Sequence, residues 1–210
     1  MIKAIIFDMD GTLYDTEAVY KIAWIKAGIP EETYYKLIGR SRVNIRQILF
    51  DEGFDVDKVC QKKAEYTQEL LKDGIPLKSG VIETLSFLKE NGFKTAIATS
   101  SAIEVAKKYL AQTNMEQFFD KTISGNRLEH GKPAPDIFLY AAQELNASPS
   151  ECMVVEDSYN GVMAGVNAKM HTVMIPDLVP ADEFMQKSAN AILDSLKELP
   201  EYINKINASK

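Results

Sequence analysis

Apolar residues recur in two rhythms along this chain. The unbroken run at 4–7 lacks the alternation of a half-solvated strand and reads as a strand buried on both faces, and further short strands are marked at 94–98, 122–124, 153–155 and 171–175. Between them, helical segments are marked at 81–91 (stopped at Gly92), 136–145 (behind Pro133 and Pro135), 159–167 and 194–206. Ser101-Ala102-Ile103-Glu104 has the form of a capping box and opens one more helix. Tyr140 and Met163 fall at helical spacing and are expected in the core. Such strand–helix alternation predicts a parallel sheet with helices on both faces. Residues 16–78 break the pattern. From a helix start at Asp15-Thr16-Glu17 the stretch is helical, punctuated by Gly28, Gly39, Gly53 and Gly74. The expectation is an α/β core built from 1–15 and 79–210, with a small helical-bundle domain, 16–78, inserted after the first strand.

Composition narrows the function classes. With 46% hydrophobic and 26% charged residues, 210 residues suffice for one good core and a small second module. A net charge of −6 argues against a nucleic-acid or anionic-membrane surface. Residues 16–78 nonetheless carry 11 basic and 10 acidic side chains, and Arg40, Arg42 and Arg46 are three of only four arginines in the chain. Asp8 cuts the first apolar run short, so it does not read as a signal peptide, and no run approaches the roughly 18 residues of a membrane span. Cys60 and Cys152 make no metal-type spacing, and Cys152, inside an apolar run, reads as a buried, inert thiol. A cytoplasmic monomer is expected.

The candidate chemistry gathers at strand ends. The first run stops at Asp8-Met9-Asp10-Gly11-Thr12, where two acids on one side of an extended backbone converge and Gly11 permits a tight turn. Taken alone this is equally a strand followed by a turn. The other strands lead into Thr99-Ser100-Ser101, into Gly131-Lys132-Pro133 after a loop, and into Glu156-Asp157. Singly these read as a helix cap, a solvated lysine and, equally, a turn or a ligand pair. In a parallel sheet, however, all lie on the carboxyl edge, where ligands bind. Asp8, Asp10, Glu156 and Asp157 together would repel one another and protonate unless a cation sat among them. An all-oxygen set without His or Cys points to Mg²⁺. Thr99 and the N–H groups beyond it suit phosphate oxygens, and Lys132 offsets the negative charge. A carboxylate nucleophile beside a second acid then fits phosphoryl transfer through an aspartyl-phosphate.

In that order, Asp8-Met9-Asp10-Gly11-Thr12, Thr99-Ser100-Ser101, Lys132-Pro133 and Glu156-Asp157 resemble the four motifs of the haloacid dehalogenase superfamily, over the whole chain. The resemblance implies a Rossmann-like core. The helical insert is similar to the cap of the subfamily containing phosphoglycolate phosphatase and β-phosphoglucomutase. It implies Asp8 as nucleophile and Asp10 as general acid and base. Mg²⁺ would lie on Asp8, the Asp10 carbonyl and Asp157, with Glu156 beside them. Gly11, Thr12, Thr99, the Ser100 amide and Lys132 would hold the phosphoryl group. Asp10 argues against dehalogenation, since true dehalogenases lack this second acid.

Gly39-Arg40-Ser41-Arg42 resembles the substrate-recognition loop of such caps, so Gly39, Arg40 and Arg42 are the expected substrate contacts. Arg46 reads as an exposed helix charge. β-Phosphoglucomutase has a histidine in its first cap helix; Tyr20 stands at the corresponding position here, and residues 13–27 contain no His. The expected activity is Mg²⁺-dependent hydrolysis of a small phosphorylated metabolite, a sugar or polyol phosphate. The alternatives are a sugar-phosphate mutase and, in a different class, a non-catalytic module phosphorylated on Asp8.

Overall fold

The structure, a computed structural model, describes residues 1–38, 40 and 42–208, apart from the side chains of Arg42 and Arg127. Six strands, β1 (Ala4–Phe7), β2 (Lys94–Thr99), β3 (Lys121–Ser124), β4 (Cys152–Glu156), β5 (His171–Met174) and β6 (Ala191–Ile192), form one sheet in the order β3-β2-β1-β4-β5-β6. Every pairing is parallel. β2 and β3 lie on one side of β1, and β4 to β6 on the other. The order therefore reverses between β1 and β4, which opens a crevice at their carboxyl ends.

Helices α5 (Val81–Glu90), α6 (Ile103–Thr113), α7 (Asp136–Glu144), α8 (Tyr159–Asn167), α9 (Glu183–Ser188) and α10 (Leu199–Ala208) complete this unit. Ala4 and Ile6 join Ala96, Ala98, Phe138, Ala141 and Ala164 in one apolar cluster, so α7 and α8 cover that face. Ile5 and Phe7, pointing the opposite way, are fully buried too, so the second face is also covered. This is the α/β class that the continuous apolar runs predict.

Three details differ from the sequence reading. α9 and the two-residue β6 are too short to leave a periodic signature. The last helix starts at Leu199, after a 3₁₀ turn at Leu196–Glu198, because Pro200 lacks an N–H and fits only a first helical turn. Tyr140, expected in the core, is 43% exposed.

The chain divides into two compact units, Met1–Tyr14 with Pro76–Lys210, and Asp15–Ile75. Segment 76–78, read from sequence as part of the insert, goes with the first unit: the Lys78 N–H donates to the Leu13 carbonyl at 3.0 Å and Leu77 bridges Tyr14. The second unit holds α1 (Thr16–Lys26), α2 (Glu31–Leu37), α3 (Arg42–Asp51) and α4 (Val56–Leu70) around Trp24, Ile29, Tyr34, Leu37, Leu49 and Val59. Among the described residues no helix is long and apolar enough to cross a membrane.

Candidate active site

Asp8 prolongs the β1–β4 ladder, its N–H donating to the Val155 carbonyl at 3.0 Å. With Phe7 opposite Val155, Asp8 and Glu156 stand side by side at the carboxyl edge of the sheet. The chain then folds back sharply. The Leu13 and Tyr14 N–H groups both donate to the Met9 carbonyl, and the Gly11 N–H donates to the Tyr14 carbonyl at 2.9 Å. That bond uses the Gly11 donor expected to face phosphate. Its part is conformational instead: φ is +83°, and a Cβ there would lie 2.4 Å from Asp157 Oδ2. Asp157 is thus pressed against the Asp8–Thr12 turn, and its Oδ1 accepts from the Thr12 hydroxyl at 2.9 Å.

Lys132 arrives from a loop beyond β3 and is buried, with 8% of its side chain exposed. Its ammonium donates to Asp8 Oδ1, to Glu156 Oε1 at 2.7 Å and to the Ala98 carbonyl at 3.2 Å, which engages all three donors. Burial works against this charge, but the carboxylates of Asp8 and Glu156 outweigh it and the lysine pKa is raised. Burial likewise pushes the Asp8 carboxyl up, to about 7, against the pull of Lys132.

Glu156 is only 1% exposed. Its Oε2 accepts from the Ser158 N–H at 2.8 Å and the Ser158 hydroxyl at 2.9 Å. A Cβ on Gly161 would fall 1.6 Å from its Oε1, so glycine in the first turn of α8 makes room for the carboxylate. The four acids are therefore shared among different donors. Among the described residues no group of three or more His, Cys, Asp or Glu gathers as a metal cluster. The dense four-carboxylate nest expected from sequence is relaxed by Lys132, which lies between two of the acids.

Thr99, at the end of β2, is buried, and its Oγ1 accepts from the Ser101 N–H at 3.0 Å. That bond takes an oxygen lone pair and not the hydroxyl proton. Ser100 is exposed. The capping box expected at Ser101 does not form. The N-cap of α6 is Ala102, without a side-chain bond, and the Ser101 hydroxyl donates to Asp10 Oδ2 at 2.8 Å. The helix forgoes a cap of the kind that contributes about 1 kcal/mol.

Ser101, Ser158 and Gly161 stand at the polar strand ends that the sequence marks, but sequence reasoning gave none of them a role in the site; a glycine inside a helical pattern was the one signal of a close approach at Gly161. In the second unit Arg40 is exposed and Arg46 pairs with Asp57 at 2.5 Å on the surface. Gly39 and the Arg42 side chain, also expected to contact substrate, lie outside the described residues.

Fold and edge together define a doubly wound α/β protein whose carboxylates gather at the switch point of the sheet. Residues 2–169 match the family model described as haloacid dehalogenase-like hydrolase, and the chain belongs to that family. It is 33% identical to a phosphorylated carbohydrates phosphatase of Thermotoga maritima, covering 81% of this chain and 83% of that protein. It is 30% identical to hexitol phosphatase A of Escherichia coli, over 94% of this chain and 93% of that one. Among solved structures, a β-phosphoglucomutase from Clostridium difficile superposes with a TM-score of 0.80 at 27% identity, covering 100% of this chain and 98% of the other.

Proposed function

We propose that this protein is a Mg²⁺-dependent phosphatase acting on a small sugar or polyol phosphate through an aspartyl-phosphate on Asp8. The observation that carries the reading is the buried Lys132 ammonium bound to both Asp8 and Glu156 at the β1–β4 crevice. It sets a fixed positive charge beside a carboxylate that faces the ligand edge.

The donor set fits Mg²⁺. It is all oxygen, and Asp157 is held against the turn that carries Asp8 and Asp10. An ion that keeps several waters and takes one or two carboxylates needs no larger cluster. Asp8, Asp157 and the Asp10 carbonyl would hold it; when bound it would neutralise charge on the phosphoryl oxygens. Glu156, with both oxygens engaged, acts by holding Lys132.

In the first half-reaction an Asp8 oxygen bonds to phosphorus as the ester P–O bond breaks, and Asp10 gives its proton to the departing alcohol. In the second, Asp10 takes a proton from water, the water oxygen bonds to phosphorus, and the Asp8 carboxylate leaves. Lys132 supplies a nearby positive charge, and the Thr99 hydroxyl and the Ser100 and Thr12 amides steady the phosphoryl oxygens. Substrate choice falls to Gly39, Arg40 and Arg42. The names of the phosphatase relatives support a carbohydrate or hexitol phosphate.

The test is a phosphate-release screen over sugar and polyol phosphates, with Mg²⁺ and with excess chelator. Turnover should need the ion, and Asp8→Asn should lower it on the order of 10³-fold or more. Full activity in chelator, or in that variant, would overturn the reading. The full-length likeness to a β-phosphoglucomutase supports a mutase as second reading. Against it stands Tyr20, under the Lys63 ammonium at 3.7 Å, in a helix without histidine. Given β-glucose 1-phosphate and a bisphosphate primer, only a mutase makes glucose 6-phosphate without stoichiometric free phosphate.

A further inference from the structure

We infer that Ser101 is a positioning residue, which aims Asp10 at the departing oxygen of the substrate. The inference rests on the acid–base role of Asp10 proposed above. Three bonds define Ser101. Its N–H donates to Thr99 Oγ1 at 3.0 Å, its carbonyl accepts from the Ser124 hydroxyl at 2.7 Å, and its own hydroxyl donates to Asp10 Oδ2 at 2.8 Å. The backbone is thus pinned to the ends of β2 and β3, two neighbouring strands, before the side chain reaches out. Ser101 stands one residue before Ala102, the N-cap of α6; the helix starts without a side-chain cap, and the Ser101 hydroxyl goes to the acid.

A hydrogen bond at one oxygen restrains the direction in which a carboxyl group points. Proton transfer needs that direction, because acid and acceptor must come within hydrogen-bond reach in the transition state. Ser101 also joins Asp10 to Thr99, a residue assigned to the phosphoryl oxygens. One short chain of bonds therefore sets proton donor and phosphoryl holder in common register.

Leaving groups separate this role from mere support. A sugar or polyol alkoxide must be protonated as it departs, whereas p-nitrophenolate leaves without help. Values of kcat/KM report the first transfer alone, so the comparison is made there for Ser101→Ala, Ser101→Thr and Asp10→Asn. The substrates are p-nitrophenyl phosphate and the sugar or polyol phosphate turned over fastest. Ser101→Ala should lose about 10- to 100-fold on the alkyl ester, at least about tenfold more than on the aryl ester. Ser101→Thr, which keeps the hydroxyl, should recover most of the loss. Asp10→Asn should show the same split, larger. Equal losses on both esters in Ser101→Ala, beside a clear split in Asp10→Asn, would overturn the inference. No split in Asp10→Asn would overturn the acid–base role itself. Should Ser101→Ala not fold, Ser101→Cys, a weak donor of similar size, carries the same comparison.

Discussion

Replacing Gly161 with alanine tests how tightly the interior of the site is packed. In an ordinary helix the change would stabilise by about 1 kcal/mol, since alanine is the better helix former. Here the new Cβ would lie 1.6 Å from Glu156 Oε1, 1.8 Å from Cδ and 2.3 Å from Oε2, so the carboxylate must move. With 1% exposure it has no route to water, and moving costs it Lys132 at 2.7 Å and Ser158 at 2.8 and 2.9 Å. Breaking a buried, hydrogen-bonded ion pair costs about 3–5 kcal/mol, so after the helix gain Gly161→Ala should destabilise by about 2–4 kcal/mol. Urea unfolding reads this as a lower midpoint at unchanged slope. The cause is isolated by repeating the substitution in a Glu156→Ala background, where no carboxylate remains to collide and the added methyl should become neutral or mildly stabilising. Equal costs in both backgrounds, or a more stable single variant, would refute the reasoning.

Two further outcomes follow from buried groups elsewhere. Burial pushes the Cys152 thiol up to about 11, so in the folded protein near pH 8 an alkylating reagent should modify Cys60 and spare Cys152 until denaturant is added. Rapid loss of both thiols from the native protein would contradict that burial. Lys78 pairs with Asp177 at 2.6 Å; the Asp177 side chain is 9% exposed, and its Oδ2 has no hydrogen-bond partner among the described residues. Lys78→Met should therefore cost about 2–4 kcal/mol in urea unfolding, with much of it regained when Asp177→Leu is added; an unchanged midpoint in the single variant would argue that the pair is immaterial.

The sheet was legible because parallel strands buried on both faces carry unbroken apolar runs, and Ala4–Phe7 and β4 up to Val155 do. Asp8, Glu156 and Asp157 stood out because acids directly after such runs mark where a strand reaches the carboxyl edge, and Lys132 because it follows the third strand after a loop. What sequence could not supply was the direction of each hydrogen bond. Ser101 carries the signature of a cap, and only the fold shows that Ala102 takes the N-cap position while the Ser101 hydroxyl donates to Asp10. Gly11 looked like a phosphate donor, yet its N–H turns inward to Tyr14. Lys132 was expected to balance charge, but its position between Asp8 and Glu156 depends on a loop whose path leaves no periodic trace. β6 and α9 escaped notice because two and six residues complete no recognisable repeat.

The chain departs after Tyr14 and comes back at Pro76, and these two crossings run side by side, stitched by the Leu77–Tyr14 bridge and the Lys78–Leu13 bond. A segment whose two ends already touch can be lengthened, shortened or exchanged with little penalty in closure entropy for its host. The host unit can thus keep its sheet and strand ends while the inserted segment is rewritten, because every edit falls between two adjacent seams.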